Sequence, residues 1–231
     1  MVILMQIKKW TNSVNVILGS VFLVLLLAGC GASGSSAPAS DAASGTPAAD
    51  PLAGMDTTGL SEDALADLTY LAGVGPVELT EDGTPTVLVT VSSGMVGDET
   101  QSQEDLDARA GENYIRATLG DDYSITYQLT RPQYETMRSV IAESLERSLE
   151  GMITGKNYNF SEIRHDDHFA VFDVTLSGKR IDVNETLSVL SFYNIASIYR
   201  IFDDDKADTY MVHFYSSEGK LLDTAETKAE D

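Results

Sequence analysis

The segment from Thr130 to Met152 is the strongest secondary-structure signal in the sequence, and it limits the folds that the chain can adopt. Thr130, Arg131, Pro132 and Gln133 match a capping box with proline at the first helical position. Apolar residues then recur at helical spacing along one face: Tyr134, Met137, Ile141, Leu145, Leu149 and Met152. Because such a stripe must be buried against another element, the segment predicts a long helix that packs on a core.

Segments with strand character lie on both sides of this helix. Residues 123–130 alternate between apolar and polar side chains, and the short link 120–122 joins them to a similar run, which predicts a hairpin. Further strands are predicted at 86–91, 158–164, 169–177, 209–215 and 221–225. A second long helix is predicted at 184–202, with shorter ones near 61–71 and 101–110. This order predicts an α+β fold, an antiparallel sheet built from hairpins with two main helices packed on one face.

The first thirty residues have the layout of an export signal. Residues 1–10 contain Lys8 and Lys9 but no acid, and residues 14–28 are apolar apart from three positions. As a helix, those fifteen residues would span only about 22 Å, which is shorter than the ~30 Å hydrocarbon layer of a bilayer. We therefore expect a cleaved signal peptide here.

The apolar run ends at Cys30, the only cysteine of the sequence. Leu27, Ala28, Gly29 and Cys30 resemble the lipobox of bacterial lipoproteins. The resemblance implies cleavage before Cys30, attachment of a diacylglyceryl group to its thiol, and a membrane anchor on the extracytoplasmic face. Two or more acyl chains hold a protein on a bilayer far more firmly than one chain does.

The predicted organisation has three parts. Residues 1–29 are the signal peptide, residues 30–59 a flexible linker after the lipidated cysteine, and residues 60–231 a single α+β extracytoplasmic domain. The linker consists almost entirely of small, polar and proline residues, which cannot bury enough apolar surface to order themselves. A linker of this length would hold the domain on the order of 30 Å from the bilayer.

The charge of the chain excludes some classes of partner. It has 15 Lys and Arg against 36 Asp and Glu, a formal net charge of −21. Binding to nucleic acid or to an anionic lipid surface depends on cationic side chains, so we expect neither. Cationic partners remain compatible with this composition.

Three further segments resemble a family of uncharacterised lipoproteins of Gram-positive bacteria: "SQEDLDARA", "YSITYQLTRPQYE" and "YNFSEIRHDDHFAVFDVTL". The resemblance covers about residues 86–225 and follows the succession of segments rather than a catalytic motif. It implies a Gram-positive cell membrane as the location and a single α+β domain as the architecture. It implies no activity and no functional residue.

Two polar clusters invite a metal-binding interpretation. His165, Asp166, Asp167 and His168 carry ligand atoms for a divalent ion, but two acids at the tip of a hairpin are ordinary turn residues. The triplet that begins at Asp203 lacks the glycine and glutamate positions of a calcium-binding loop. We therefore predict no metal and no cofactor.

The helix at 184–202 carries polar residues at every third position: Ser188, Ser191, Asn194, Ser197 and Arg200. This stripe is a candidate surface for an unknown protein, peptide or small-molecule partner, and packing against the sheet is the alternative. The sequence predicts a non-catalytic, membrane-anchored binding module. An envelope hydrolase or metal-dependent enzyme using the turn from His165 to His168 is the alternative function. A solute-binding receptor is disfavoured, since its two lobes need a longer chain.

Overall fold

The computed structural model describes residues 52, 55–93 and 102–229. These residues form an α+β fold, as the sequence predicts, with four helices and eight strands. In chain order the elements are α1 (Glu62–Val74), β1 (Val77–Leu79), β2 (Pro85–Val91), α2 (Gln103–Asp107), β3 (Arg116–Leu119), β4 (Ile125–Leu129), α3 (Arg131–Thr154), β5 (Phe160–His165), β6 (Val171–Leu176), α4 (Val183–Arg200), β7 (Thr209–Tyr215) and β8 (Leu221–Lys228). Cys30 and the lipobox residues before it lie outside the described residues.

The strands form two four-stranded sheets, which corrects the prediction of one sheet. The first sheet has the order β1-β2-β4-β3 and is antiparallel throughout. The second has the order β5-β6-β7-β8. Each half of the described chain thus repeats the succession helix, hairpin, helix, two strands. Hairpin signals are local, so they specify which neighbours pair but not how many sheets the pairs form.

The second sheet contains one parallel pair of strands, whereas the sequence predicts an antiparallel sheet. β6 and β7 run in the same direction, with Phe172 opposite Val212 and Val174 opposite Phe214. The reason is α4, which carries the chain from the end of β6 back to the start of β7. Parallel neighbours need a crossover of this kind, whereas a tight turn gives an antiparallel pair.

The long helix α3 connects the two hydrophobic cores. Tyr134 and Met137 in its first half pack in the core of the first sheet. Leu145, Leu149 and Met152 in its second half pack in the core of the second sheet. Thr130 caps the helix in the expected capping box with Gln133, and the helix ends at Thr154, with Gly155 as its C-cap. The predicted apolar stripe is therefore buried except at Ile141, which is half-buried between the two cores.

Alternate residues of β6 and β7 define the inner face of the second sheet. Phe172, Val174 and Leu176 are fully buried and share a core with Phe192 and Ile195 of α4. The residues between them, such as Asp173 and Thr175, are only half-buried on the opposite face.

Within 55–93 and 102–229, no helix combines the length and hydropathy needed to cross a bilayer.

Candidate interaction surface

The polar stripe predicted on α4 does not form one surface, which corrects that prediction. At 100° per residue, each step of three residues moves the side chain by about 60° around the helix, so the four steps from Ser188 to Arg200 spread the five residues over about 240°. Ser188 is buried, and its hydroxyl donates to the Glu185 carbonyl at 2.6 Å. The other four members, Ser191, Asn194, Ser197 and Arg200, are half-buried. Ser197 donates to the Tyr193 carbonyl, and Arg200 Nε lies 3.4 Å from the Ala207 carbonyl oxygen.

The exposed face of α4 is instead apolar over its first half. Val183, Leu187 and Leu190 are 72%, 60% and 62% exposed. Their spacing of four and three residues places them in one row along the helix. We call this row the apolar ridge. A surface helix normally turns polar side chains to water, so an apolar row of this length is a candidate interaction surface.

A buried carboxylate explains why the apolar ridge faces outwards. Glu185 is almost completely buried, and its carboxylate accepts hydrogen bonds from the Asn159 backbone N–H at 2.9 Å, the Asn159 side chain at 3.0 Å and the Asp182 N–H at 2.9 Å. Leu187 lies two residues further on, about 200° around the helix from Glu185. Fixing Glu185 inwards therefore turns Leu187 towards solvent.

A shallow groove of about 380 Å³ lies beside the ridge. Its walls are mainly apolar, with two carboxylates, and the lining residues are Ile181, Asp182, Val183, Thr186, Leu187 and Asp223. Asp182 caps α4 by accepting hydrogen bonds from the N–H groups of Asn184 and Glu185, and hydrogen bonding to Glu185 lowers the pKa of Asp182. The groove thus combines apolar walls with two carboxylates.

The two histidines of the β5–β6 turn point to different partners. His165 Nε2 lies 2.8 Å from a Glu146 carboxylate oxygen, and its ring stacks on Phe169 with centroids 4.0 Å apart. His168 Nδ1 lies 2.8 Å from Asp203 Oδ2. No group of three or more His, Cys, Asp or Glu within 55–93 and 102–229 is placed to hold a metal ion. The geometry therefore gives no support to a metal-dependent enzyme at this turn.

Asp203 is the centre of an ion network rather than of a calcium loop. Its side chain is 2% exposed, and its carboxylate contacts Arg138 at 3.0 Å and His168 at 2.8 Å. Arg138 also contacts Asp204 at 3.0 Å and the Tyr199 hydroxyl at 3.1 Å. The hydrogen bond to Asp203 raises the pKa of His168. These contacts join α3, the β5–β6 turn and the segment after α4, which is a structural role.

A second polar row crosses the open face of the second sheet. Arg164, Asp173, His213 and Thr224 are cross-strand neighbours on β5, β6, β7 and β8. His213 Nδ1 lies 3.1 Å from the Thr224 hydroxyl. Each group has a partner within the sheet, so this row is explained by pairing on a solvated face.

Comparison of the chain with protein-family models, with curated proteins and with solved structures finds no match. The function of this protein must therefore be argued from its own residues. The sequence signal that could have revealed the ridge is Asp182 followed by Glu185, a capping box that fixes the rotation of α4.

Proposed function

We propose that this protein is a lipid-anchored binding module on the extracytoplasmic face of a Gram-positive cell membrane. The lipobox ending at Cys30 supports the anchor and the location. The single observation that carries the binding role is the apolar ridge of α4, three large aliphatic side chains turned to water on one helix. Exposed aliphatic rows of this kind lower the solubility of a free protein, and they are retained where a partner covers them.

The partner that fits this surface is a protein segment with aliphatic side chains next to Lys or Arg. Val183, Leu187 and Leu190 offer a contact row for an amphipathic helix or strand. Asp182 and Asp223 at the groove supply carboxylates for cationic side chains of the partner. The formal net charge of −21 attracts such a segment and repels acidic competitors.

The test is site-specific photocrosslinking in living cells. A photoreactive residue at position 187 should give one predominant adduct, because that side chain lies at the centre of the ridge. The matched control is position 118 on β3, where Thr118 is also exposed but belongs to the other sheet. Captured protein at 187 and none at 118 is the expected result.

A second variant checks that the adduct depends on the ridge. Replacing Leu190 by Asp should abolish the adduct at position 187 without unfolding the domain, because Leu190 is exposed. Equal labelling at 187 and 118, or labelling at 187 that Leu190→Asp leaves unchanged, would contradict the proposal.

A further inference from the structure

Three loops meet at one end of the second sheet. β6 and β7 are parallel, so both strands end at the same edge of the sheet. Their antiparallel neighbours, β5 and β8, begin at that edge. The loops are residues 155–159, 177–182 and 216–220. Backbone hydrogen bonds tie them together, from Ser177 N–H to the Asn159 carbonyl at 2.7 Å and from Ser217 N–H to the Gly178 carbonyl at 2.9 Å. Lys179 and Glu218 add an ion pair between two of the loops. We call this region the loop end.

The loop end is cationic in a strongly acidic chain. Its three loops carry four exposed cations and two carboxylates, and the formal charge stays positive when Asp223 of the adjoining groove is added; the cations are Lys156, Lys179, Arg180 and Lys220. The opposite end of the same sheet is acidic. There, the turn after β5 and the loop 201–208 carry six aspartates and one lysine: Asp166, Asp167, Asp203, Asp204, Asp205, Asp208 and Lys206.

An exposed apolar side chain accompanies the cations. Leu221, the first residue of β8, follows Lys220 and is 50% exposed. Cations next to exposed aliphatic residues are the combination by which peripheral proteins bind an anionic bilayer, since the cations approach the headgroups and the aliphatic chains enter the interface.

The overall negative charge does not cancel this attraction. Electrostatic interactions are screened over about 8 Å at physiological ionic strength. A strand of six residues, such as β5, is about 20 Å long at 3.3 Å per residue, so the acidic end lies more than two screening lengths from the loop end. The net charge of the chain argues against binding to anionic lipid, whereas the distribution of the charges favours it at the loop end.

We propose that the loop end docks on the anionic surface of the bilayer, with Leu221 inserted at the interface and the acidic end directed away. This goes beyond the proposed binding function and gives the domain a defined orientation on the membrane. A 30-residue linker keeps the domain within reach of the bilayer, so that even weak contacts are occupied much of the time.

The test uses a tryptophan reporter in the lipidated chain. Trp10 is the only tryptophan of the sequence and lies in the predicted signal peptide, so a single new tryptophan reports without background. Leu221→Trp reports on the loop end. Tyr123→Trp is the matched control, since Tyr123 is 52% exposed in the β3–β4 turn of the other sheet. Each protein is reconstituted in vesicles of phosphatidylcholine alone, or of equal parts phosphatidylcholine and phosphatidylglycerol.

On the anionic vesicles, the emission of the Leu221→Trp reporter should shift to shorter wavelength and be quenched by brominated lipid. On phosphatidylcholine alone, and at high salt on either vesicle, the shift should be absent. The Tyr123→Trp reporter should behave identically on both vesicles. Flotation with the phosphatidylcholine vesicles reports the lipid anchor separately, so a failed anchor and failed docking are distinguishable.

Charge reversal supplies a matched pair of variants. Arg180→Glu with Lys220→Glu should lower the docking equilibrium at least about 30-fold, at about fivefold per cation removed from an anionic surface. Lys206→Glu with Lys228→Glu changes the total charge equally at the other end of the sheet and should leave docking intact. The proposal is overturned if both pairs act alike, if the reporter at 221 gives the same emission on both vesicles, or if it shifts only when other proteins of the envelope are added.

Discussion

At the scale of single residues, the described part of the chain is held by a few polar contacts at the points where elements meet. Asp203 joins α3 to the β5–β6 turn through Arg138 and His168. Tyr134 donates to the Phe202 carbonyl at 2.7 Å, and burial raises the pKa of its hydroxyl. Among the described residues, no buried side-chain nitrogen or oxygen lacks a hydrogen-bond partner. These contacts connect the two cores more specifically than apolar packing alone would.

The first prediction concerns the buried ion pair. Arg138→Ala removes a charged partner from Asp203, whose side chain is 2% exposed, and should lower the free energy of unfolding by about 3 kcal/mol. Arg131→Ala is the control, because Arg131 pairs with Asp67 and Glu135 at the surface and should cost less than about 1 kcal/mol. Urea unfolding measures both, and equal losses would contradict the structural role of Asp203.

The second prediction concerns pH. The hydrogen bond to Asp203 raises the pKa of His168 in the folded state. The stabilisation by protonated His168 is therefore full below about pH 6.5, the unfolded value, and is lost as the pH rises through the raised folded pKa. His168 is partly exposed, so the effect should stay below about 1 kcal/mol. The stability difference between the wild type and His168→Gln, from urea unfolding at several pH values, should shrink with rising pH; a constant or growing difference would contradict this.

At the scale of elements, α4 has one face in the core and an apolar ridge in water. Phe192 is fully buried between the ridge and the second sheet's core residues, whereas Leu187 is 60% exposed. Both side chains are large and apolar, so the sequence pattern does not indicate which of them is buried. The difference in burial arises from tertiary contacts, above all from the inward-facing Glu185.

The third prediction separates these two kinds of apolar residue. Phe192→Ala should lower the free energy of unfolding by about 3–5 kcal/mol, since it leaves a cavity in the core. Leu187→Ser should change it by no more than about 0.5 kcal/mol, as is usual for a surface position. Thermal and urea unfolding of the two variants provide the measurement. A large loss for Leu187→Ser would mean that the ridge stabilises the fold rather than binding a partner.

Local signals were enough to predict the elements themselves. The capping box at Thr130, the alternation around Tyr127 and the apolar spacing of α3 each specify one element from its own residues. The three-residue strand β1 is not predicted from the sequence, because three residues are too few to show the alternation of apolar and polar side chains. The parallel pairing of β6 with β7 and the split into two sheets depend on where α4 returns the chain, which no local pattern encodes.

The candidate surface was harder to predict than the fold. The polarity of the stripe from Ser188 to Arg200 predicts a surface, yet Ser188 is buried and the row that faces solvent is the apolar ridge. The predicted polar stripe and the exposed apolar ridge lie on different faces of the same helix. Exposure depends on the rotation of a helix against its neighbours, and that rotation is set by distant contacts such as Glu185 with Asn159.

At the scale of the whole molecule, we propose an acidic domain with a polarised second sheet, held near a bilayer by a lipid on Cys30. The cationic loop end and the acidic opposite end would orient the domain, and the apolar ridge would then meet its partner at a fixed height above the membrane. Both proposals depend on the chain being lipidated and exported. That claim rests on the residues from Leu27 to Cys30.

Mass spectrometry of the protein purified from its native membrane fraction tests the claim most directly. The account predicts that the mature chain begins at Cys30 and that its N-terminal peptide carries a diacylglyceryl group, which the Cys30→Ala variant lacks. A chain that retains residues 1–29, or that begins at Cys30 with an unmodified thiol, would contradict the account.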